Sequence, residues 1–303
     1  MSALFFSMLS VRSGCKINLF LNVLARRSDG FHELETVMQP LGLYDEIGIR
    51  RTDTKGVELK CSHPAVPLGP DNLICRAARL FQSATGREED GLEIELQKHL
   101  PVAAGIGAGS GNAAATLLGL RRLYDERVSE ERLWAMAAEL GSDVPFFLSP
   151  CTTVARGRGE QVQRLPSVAM FRDAYAILVN PGFGVSTPWA YQNLSLNEPG
   201  SQASTSLEVF LEILQTGHWK RLTQSVFNSL EEPVLQKYPV LGVIRDVLIE
   251  AGADCARMSG SGATVFGLVQ SREQGKQVLS RFHDCYGEQC WSQLVALSGT
   301  EEC

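Results

Sequence analysis

The sequence predicts an α+β fold in two layered domains, and three observations carry that prediction. Strand-like and helix-like stretches come in mixed runs rather than in strict alternation. A length of 303 residues suits two modest domains. A loop dense in glycine, within "PVAAGIGAGSGNAAATLLGL" at 101–120, lies between a strand-like and a helix-like segment. The expected division is 1–166 and 167–303, with a hairpin near Gly157 close to the join.

The elements follow in order. "KINLFLNVL" and "DEIGIR" carry β-formers with partial alternation, separated by the polar turn "ARRSDG". "DNLICRAARLFQSATG" reads as a helix capped by Asp71 or Asn72 and ended by Gly86. "GLEIELQ" alternates Leu92, Ile94 and Leu96 with Glu93 and Glu95, the pattern of a half-buried strand. After the glycine loop a helix is expected from about Gly111 to Tyr124, then a second one capped by Ser129 and stopped at Gly141. "TTVARGRGEQVQRLP" reads as a hairpin around Gly157 and Gly159, and "AYAILVNPG" as a buried strand. "SLNEPGSQASTS" is the most linker-like stretch, or a long loop. Helices are expected near 206–216 and 239–250. "CARMSGSGATVFGLV" is a turn leading into a strand, and "SREQGKQVLSRFHDCYG" is helical despite its glycine.

Composition excludes several classes. Hydrophobic residues make up 44% and charged residues 20%, as in a globular protein with a real core. The net charge is −6, from 28 basic and 34 acidic residues, and no basic tract interleaved with aromatics marks a nucleic-acid surface. The eight cysteines are scattered without a C-x-x-C pair, so free thiols are expected rather than a zinc site or disulfide framework. "MSALFFSMLS" lacks a basic leader and a cleavage site, and no apolar run has the length of a membrane span. A cytoplasmic protein is expected, of undetermined oligomeric state.

Strand, glycine loop and helix in that order make an anion site. The first amides of a helix lack intrahelical acceptors, and the helix dipole is positive there. Phosphate is the usual guest. Gly105, Gly107, Gly109 and Gly111 would let main-chain amides approach its oxygens, and Ser110 could add a hydroxyl. The alternative is a tight turn packing a helix closely on a sheet. The loop holds no lysine, so it is not G-x-x-x-x-G-K-[S/T]. Ser110 stands at the sixth place counted from Gly105, so G-x-G-x-x-G fails as well.

The loop resembles the P-x-x-x-G-L-G-x-S-S motif of the GHMP kinase superfamily, whose members phosphorylate small molecules. "CKINLFLNV" and "RMSGSGATVFG" agree with that superfamily in order and spacing, so the resemblance spans nearly the whole chain. It implies an N-terminal ribosomal-S5-like domain, a ferredoxin-like C-terminal domain, and ATP as co-substrate with its phosphates on 101–111. On that basis Pro101, Val102, Ala103, Ala104, Gly105, Ile106, Gly107, Ala108, Gly109, Ser110 and Gly111 are candidate nucleotide contacts. Asn72 and Lys98 match positions near the adenine. Magnesium is expected, without identifiable protein ligands.

"RRSDGFHELETVMQPLGLYDEI", "LGSDVPFFL" and "DNLICRAARL" resemble the branch of the superfamily that phosphorylates a cytidylyl-linked methylerythritol. That branch assigns catalysis to Asp143, as acceptor of the hydroxyl proton, and to Lys16 as its electrostatic partner. Read alone, they are as well an Asp capping a turn and a Lys on an exposed strand face. Phe31 and His32 would form a cytosine pocket, one ring stacking and the other bonding the base edge, with Tyr191 over the opposite face. Asn18 and Thr187 match polar substrate contacts. Without the resemblance, Phe31 and Tyr191 read as core or interface aromatics. The glycine turn at Gly260 and Gly262 is expected near the phosphate loop, or is a simple strand entry.

The sequence also departs from the pattern. Ile106 replaces the usual Leu, Ala103, Ala104 and Ala108 stand where glycines are frequent, and Gly111 replaces the second serine. The last change removes a hydroxyl and raises the expectation of weaker activity. Rival readings are a GHMP kinase acting on mevalonate or homoserine, and a catalytically silent nucleotide-binding protein.

Overall fold

A computed structural model of the chain describes residues 8–125, 128–198 and 200–298. The start of the apolar N-terminal stretch, Glu126, Arg127, Pro199 and Cys303 lie outside them. Two compact units interleave along the chain: 1–14, 43–102 and 108–149 in one, and 15–42, 103–107 and 150–303 in the other.

The first half of the chain contains β1 (Leu9–Arg26), β2 (His32–Thr52), β3 (Gly56–Cys61), α1 (Leu73–Thr85), β4 (Gly91–Gln97), α2 (Ala108–Leu123) and α3 (Glu130–Leu140). In the first unit, β4 pairs antiparallel with the later part of β2, from Glu46↔Gln97 to Thr52↔Gly91. On its other side β4 runs parallel to β3, from Gly56↔Gly91 to Cys61↔Leu96. Ile47, Ile49 and Ile94 on the strands, with Ala77, Phe81, Ala113 and Leu117 on the helices, are fully buried. Each large side chain of this kind contributes roughly 1.5–3 kcal/mol by leaving water.

Caps fall where expected. Asn72 accepts from the Ile74 amide, Gly86 ends α1 in the left-handed region (φ 69°), and Ser129 accepts from the Arg132 amide at the start of α3.

Two expectations need correction here. Glu93 does not face water: it is 5% exposed, because β4 is a middle strand whose neighbours cover it. Arg50 reaches its carboxylate at 2.5 Å and Lys60 at 2.6 Å. The Lys60 hydrogen bond holds the Glu93 pKa below its usual value. The helix after the glycine loop begins at Ala108, not near Gly111, so Gly109 and Gly111 are helical. Tertiary packing outweighs glycine's poor helix propensity: a Cβ on Gly111 would strike the carbonyl oxygen of Gly14.

The second half adds β5 (Thr153–Arg156), β6 (Gln161–Arg164), β7 (Tyr175–Asn180), α4 (Thr187–Gln192), α5 (Leu207–Thr216), α6 (Trp219–Ser225), β8 (Phe227–Asn228), α7 (Glu231–Lys237), α8 (Pro239–Glu250), β9 (Cys255–Met258), β10 (Val265–Val269), α9 (Arg272–Tyr286) and β11 (Trp291–Ala296). In the second unit β1 pairs parallel with β8 through Phe20↔Phe227, and β2 pairs antiparallel with the β5–β6 hairpin through Thr36↔Ala155.

A separate antiparallel sheet has the order β11-β7-β10-β9. With α8 and α9 packed on it, the run β7, α8, β9, β10, α9, β11 is the expected ferredoxin-like arrangement, with α4 to α7 and β8 inserted after its first strand. Ala176, Ile177, Leu178 and Val179 on β7 are fully buried. "CARM" proved to be a strand in its own right, paired through Val265↔Met258.

In the described parts of the linker-like stretch, 195–198 and 200–206, the chain is a fastened long loop rather than a linker. Ser201 is fully buried, Gln202 Nε2 donates to Val23 O at 2.8 Å, and the Ala203 amide donates to Asn22 Oδ1 at 3.1 Å. Polar composition concealed these long-range bonds. The seven described cysteines are free, and among the described residues no helix is long and apolar enough to cross a membrane.

Candidate active site

In the second unit, Ala103–Gly107 form the bend of the glycine loop. Gly105 (φ 76°) and Gly107 (φ 70°) lie in the left-handed region, and so does Ala103 (φ 52°). A Cβ on Gly105 would collide with Ser259 O and lie 2.7 Å from Gly262 N, so only glycine fits. The turn at 259–262 thus packs directly against the loop. Ser259 Oγ donates to Gly105 O at 3.0 Å, and the Thr264 amide donates to Ala104 O at 3.1 Å. Ile106 is buried at 1% exposure.

Lys16 and Asn18 share one face of β1, two residues apart. Lys16 is 3% exposed; its Nζ donates to Asn18 Oδ1 at 2.6 Å and to Gly105 O at 3.4 Å, and its amide donates to Ile106 O at 2.9 Å. It is therefore not on an exposed strand face, since a buried ammonium needs such partners. Asn18 Nδ2 donates to Thr36 Oγ1 at 2.8 Å, and Thr36 donates onward to Phe20 O.

The aromatic residues are placed in the same unit. The His32 and Tyr191 rings lie 5.2 Å apart at 31°. Burial, and then the charge of Arg26, push the His32 pKa down and favour neutral imidazole. Phe31 is 51% exposed rather than in the core, and the Arg158 guanidinium lies 4.6 Å from its ring centre. Its amide donates to Asp29 Oδ1 at 3.1 Å, which with Arg27 shapes the turn. Thr187 Oγ1 and Ser261 Oγ are 2.8 Å apart.

In the first unit, Pro101 and Val102 lead into the loop, and Ala108, Gly109 and Ser110 form the first turn of α2. No acidic residue lies in that turn, so its positive end is uncompensated within the helix. Lys98 Nζ donates to Asp45 Oδ2 at 2.6 Å, while the amides of His99 and Leu100 donate to Asp45 Oδ1 at 2.8 and 2.9 Å. With its nitrogen turned toward the same acceptors, the Asn112 amide donates to Ser13 Oγ at 2.6 Å and to Asp45 Oδ2 at 3.2 Å. Asn72, besides capping α1, donates to Pro67 O at 2.6 Å. Asp143 is partly buried in the turn between α3 and a short 3-10 helix at Pro145–Leu148.

Sequence reasoning missed Asp45, Thr36 and Ser259. Asp45 is a single acid inside a strand, and nothing local distinguishes it. Ser259 stood in a quoted motif, and its partner is 154 residues away.

Fold and glycine loop together define a small-molecule kinase of the GHMP class. The family described as GHMP kinases N terminal domain matches residues 72–150, and GHMP kinases C terminal matches 210–288. A 4-diphosphocytidyl-2-C-methyl-D-erythritol kinase of Geobacter metallireducens is 40% identical over 88% of this chain and 92% of its own. A crystal structure of 4-(cytidine 5'-diphospho)-2C-methyl-D-erythritol kinase is 32% identical, with TM-score 0.75 over 95% of this chain and 99% of its own. A homoserine kinase from Cytophaga hutchinsonii, 21% identical with TM-score 0.71 over 97% of each chain, shares the fold. The chain belongs to the 4-diphosphocytidyl-2-C-methyl-D-erythritol kinase family.

Proposed function

We propose that this chain transfers the γ-phosphoryl group of ATP to the 2-hydroxyl of 4-diphosphocytidyl-2-C-methyl-D-erythritol, in non-mevalonate isoprenoid precursor synthesis. Beyond family membership, one observation carries the reading: the buried Lys16 ammonium is held on Gly105 O and Asn18, at the root of the glycine loop. A positive charge fixed at a bend rich in left-handed glycine suits a triphosphate and the charge that develops in its transfer.

In this reading Asp143 takes the proton of the acceptor hydroxyl, whose oxygen attacks the γ-phosphorus in line. The bond to the β–γ bridging oxygen breaks and ADP leaves, with no phosphoenzyme. Lys16 steadies the charge on the transferring group. The amides of 103–111 hold the phosphates. Phe31, His32 and Tyr191 take the cytosine, and Asn18 and Thr187 contact the rest of the substrate. Lys98 and Asn72 have their side chains committed to Asp45 and to the α1 cap, so they support the nucleotide site chiefly by shaping it.

Among the described residues no group of three or more His, Cys, Asp or Glu side chains is arranged to hold a metal ion. Magnesium would arrive as part of the metal–nucleotide co-substrate, where its charge would neutralise the phosphates.

The test is an ATP-consumption assay with the cytidylyl substrate, mevalonate and homoserine in parallel. Consumption with the cytidylyl substrate alone is expected. Consumption only with mevalonate or homoserine, or ATP binding without turnover on any of them, would overturn the reading.

A further inference from the structure

The segment "FNSLE" at 227–231 has no role in the reading above, yet two of its side chains hold the turn behind the glycine loop. Asn228 is 3% exposed. Its Nδ2 donates to Met258 O and to Gly260 O, each at 2.8 Å, and its Oδ1 accepts from the Leu230 amide at 2.9 Å. Glu231 Oε1 accepts from the Met258 amide at 2.7 Å, and its other oxygen lies 3.7 Å from Arg257 Nε. β9 is the outer strand of its sheet and pairs with β10 on one side only, and Gly260 lies beyond its end, so these main-chain groups take partners from the two side chains.

The same turn sets the loop. Gly260 approaches Gly105 so closely that a Cβ on it would lie 2.7 Å from Gly105 O. That oxygen also accepts from Ser259 Oγ and from Lys16 Nζ. A shift of Met258–Gly260 would therefore be passed to the Gly105 carbonyl and to the lysine resting on it, because close-packed groups transmit displacement. Asn228 and Glu231 reach the loop only through this turn.

We propose that Asn228 and Glu231 are positioning residues for the nucleotide: by fixing Met258–Gly260 they hold the 103–107 loop in its phosphate-binding shape. This rests on the reading that the loop receives the triphosphate of ATP.

The experiment measures, by calorimetry on the full chain, binding of a non-hydrolysable ATP analogue and separately of the cytidylyl substrate. Asn228→Ala and Glu231→Met are expected to weaken the analogue by about tenfold or more, equivalent to about 1.4 kcal/mol. Affinity for the cytidylyl substrate should fall by much less, since Phe31, His32 and Tyr191 take its base, although Asn18 and Thr187 touch the same turn. Glu231→Gln, which keeps an acceptor for the Met258 amide, should restore most of the nucleotide affinity. Should Asn228→Ala fail to fold, Asn228→Ser, which can reach at most one of the two carbonyls, takes its place.

Undiminished analogue binding by folded variants would overturn the proposal, and so would parallel loss of both ligands. Failure of the unaltered chain to bind the analogue would instead sink the phosphate-loop reading on which the proposal stands.

Discussion

The Lys98 ammonium lies 2.6 Å from the Asp45 carboxylate, with side-chain exposures of 5% and 0%. Asp45 also receives the amides of His99 and Leu100, just before the glycine loop. Removing one partner leaves a buried charge uncompensated, which typically costs about 3–5 kcal/mol. Lys98→Met should therefore lower the unfolding free energy read from a urea titration by an amount in that range, and Asp45→Leu should do at least as much. The double variant should lose less than the sum of the two, because neither charge then remains. Additive losses would show that the pair is not coupled.

Gly111 stands where a serine is expected, which suggested a missing catalytic hydroxyl. The structure gives another reason for glycine: any Cβ there meets the Gly14 carbonyl. Gly111→Ser should thus destabilise by about 1–3 kcal/mol, as overpacking does, and leave kcat no higher. Thermal melting and a turnover assay check this together. A more active, equally stable variant would restore the hydroxyl argument.

Asp143→Asn removes the proposed base while keeping size and polarity. General-base catalysis typically contributes about 10²–10⁴-fold, so kcat should fall by a factor in that range with the melting temperature little changed. Retained turnover would assign the proton to another acceptor.

His32 predicts a pH dependence whose sign follows from its depressed pKa. The unfolded imidazole titrates near 6.5 and the folded one lower, so the unfolded state binds more protons in between. The stabilising contribution is then complete above 6.5 and is lost as pH falls through the folded value. KM for the cytidylyl substrate should rise over the same interval if neutral imidazole meets the base. His32→Gln should flatten both profiles, as urea titrations and KM measured across acidic pH would show. Profiles that keep their slope in the variant would move the titration to another group.

Phe31 allows a cleaner separation of binding from folding. Half exposed, it adds little to the core, whereas base stacking is worth about 1–3 kcal/mol. Phe31→Ala should raise KM for the cytidylyl substrate by about 5- to 100-fold and leave KM for ATP and the melting temperature unchanged. A lost fold with normal KM in the survivors would make it a packing residue.

Local features were legible in the sequence. Asn72, Ser129 and Gly86 announced helix ends through side-chain and left-handed backbone chemistry that acts over a few residues. The alternation of "GLEIELQ" announced a strand, and the crowding of glycines after it announced a tight bend ahead of a helix. What periodicity could not say is which neighbours would cover Glu93, since that depends on β3 and β4 lying side by side.

By itself, then, the sequence determined the element types, the α+β class, the resemblance to GHMP kinases and the residues worth watching. Only the tertiary structure decided that Gly105 and Gly111 are glycines for two different reasons, a left-handed bend against one turn and a helix pressed on Gly14. It alone joined Lys98 to Asp45 across 53 positions and Ser259 to Gly105 across 154. The reason is physical: propensities and caps act between near neighbours in the chain, whereas burial and charge pairing act between near neighbours in space.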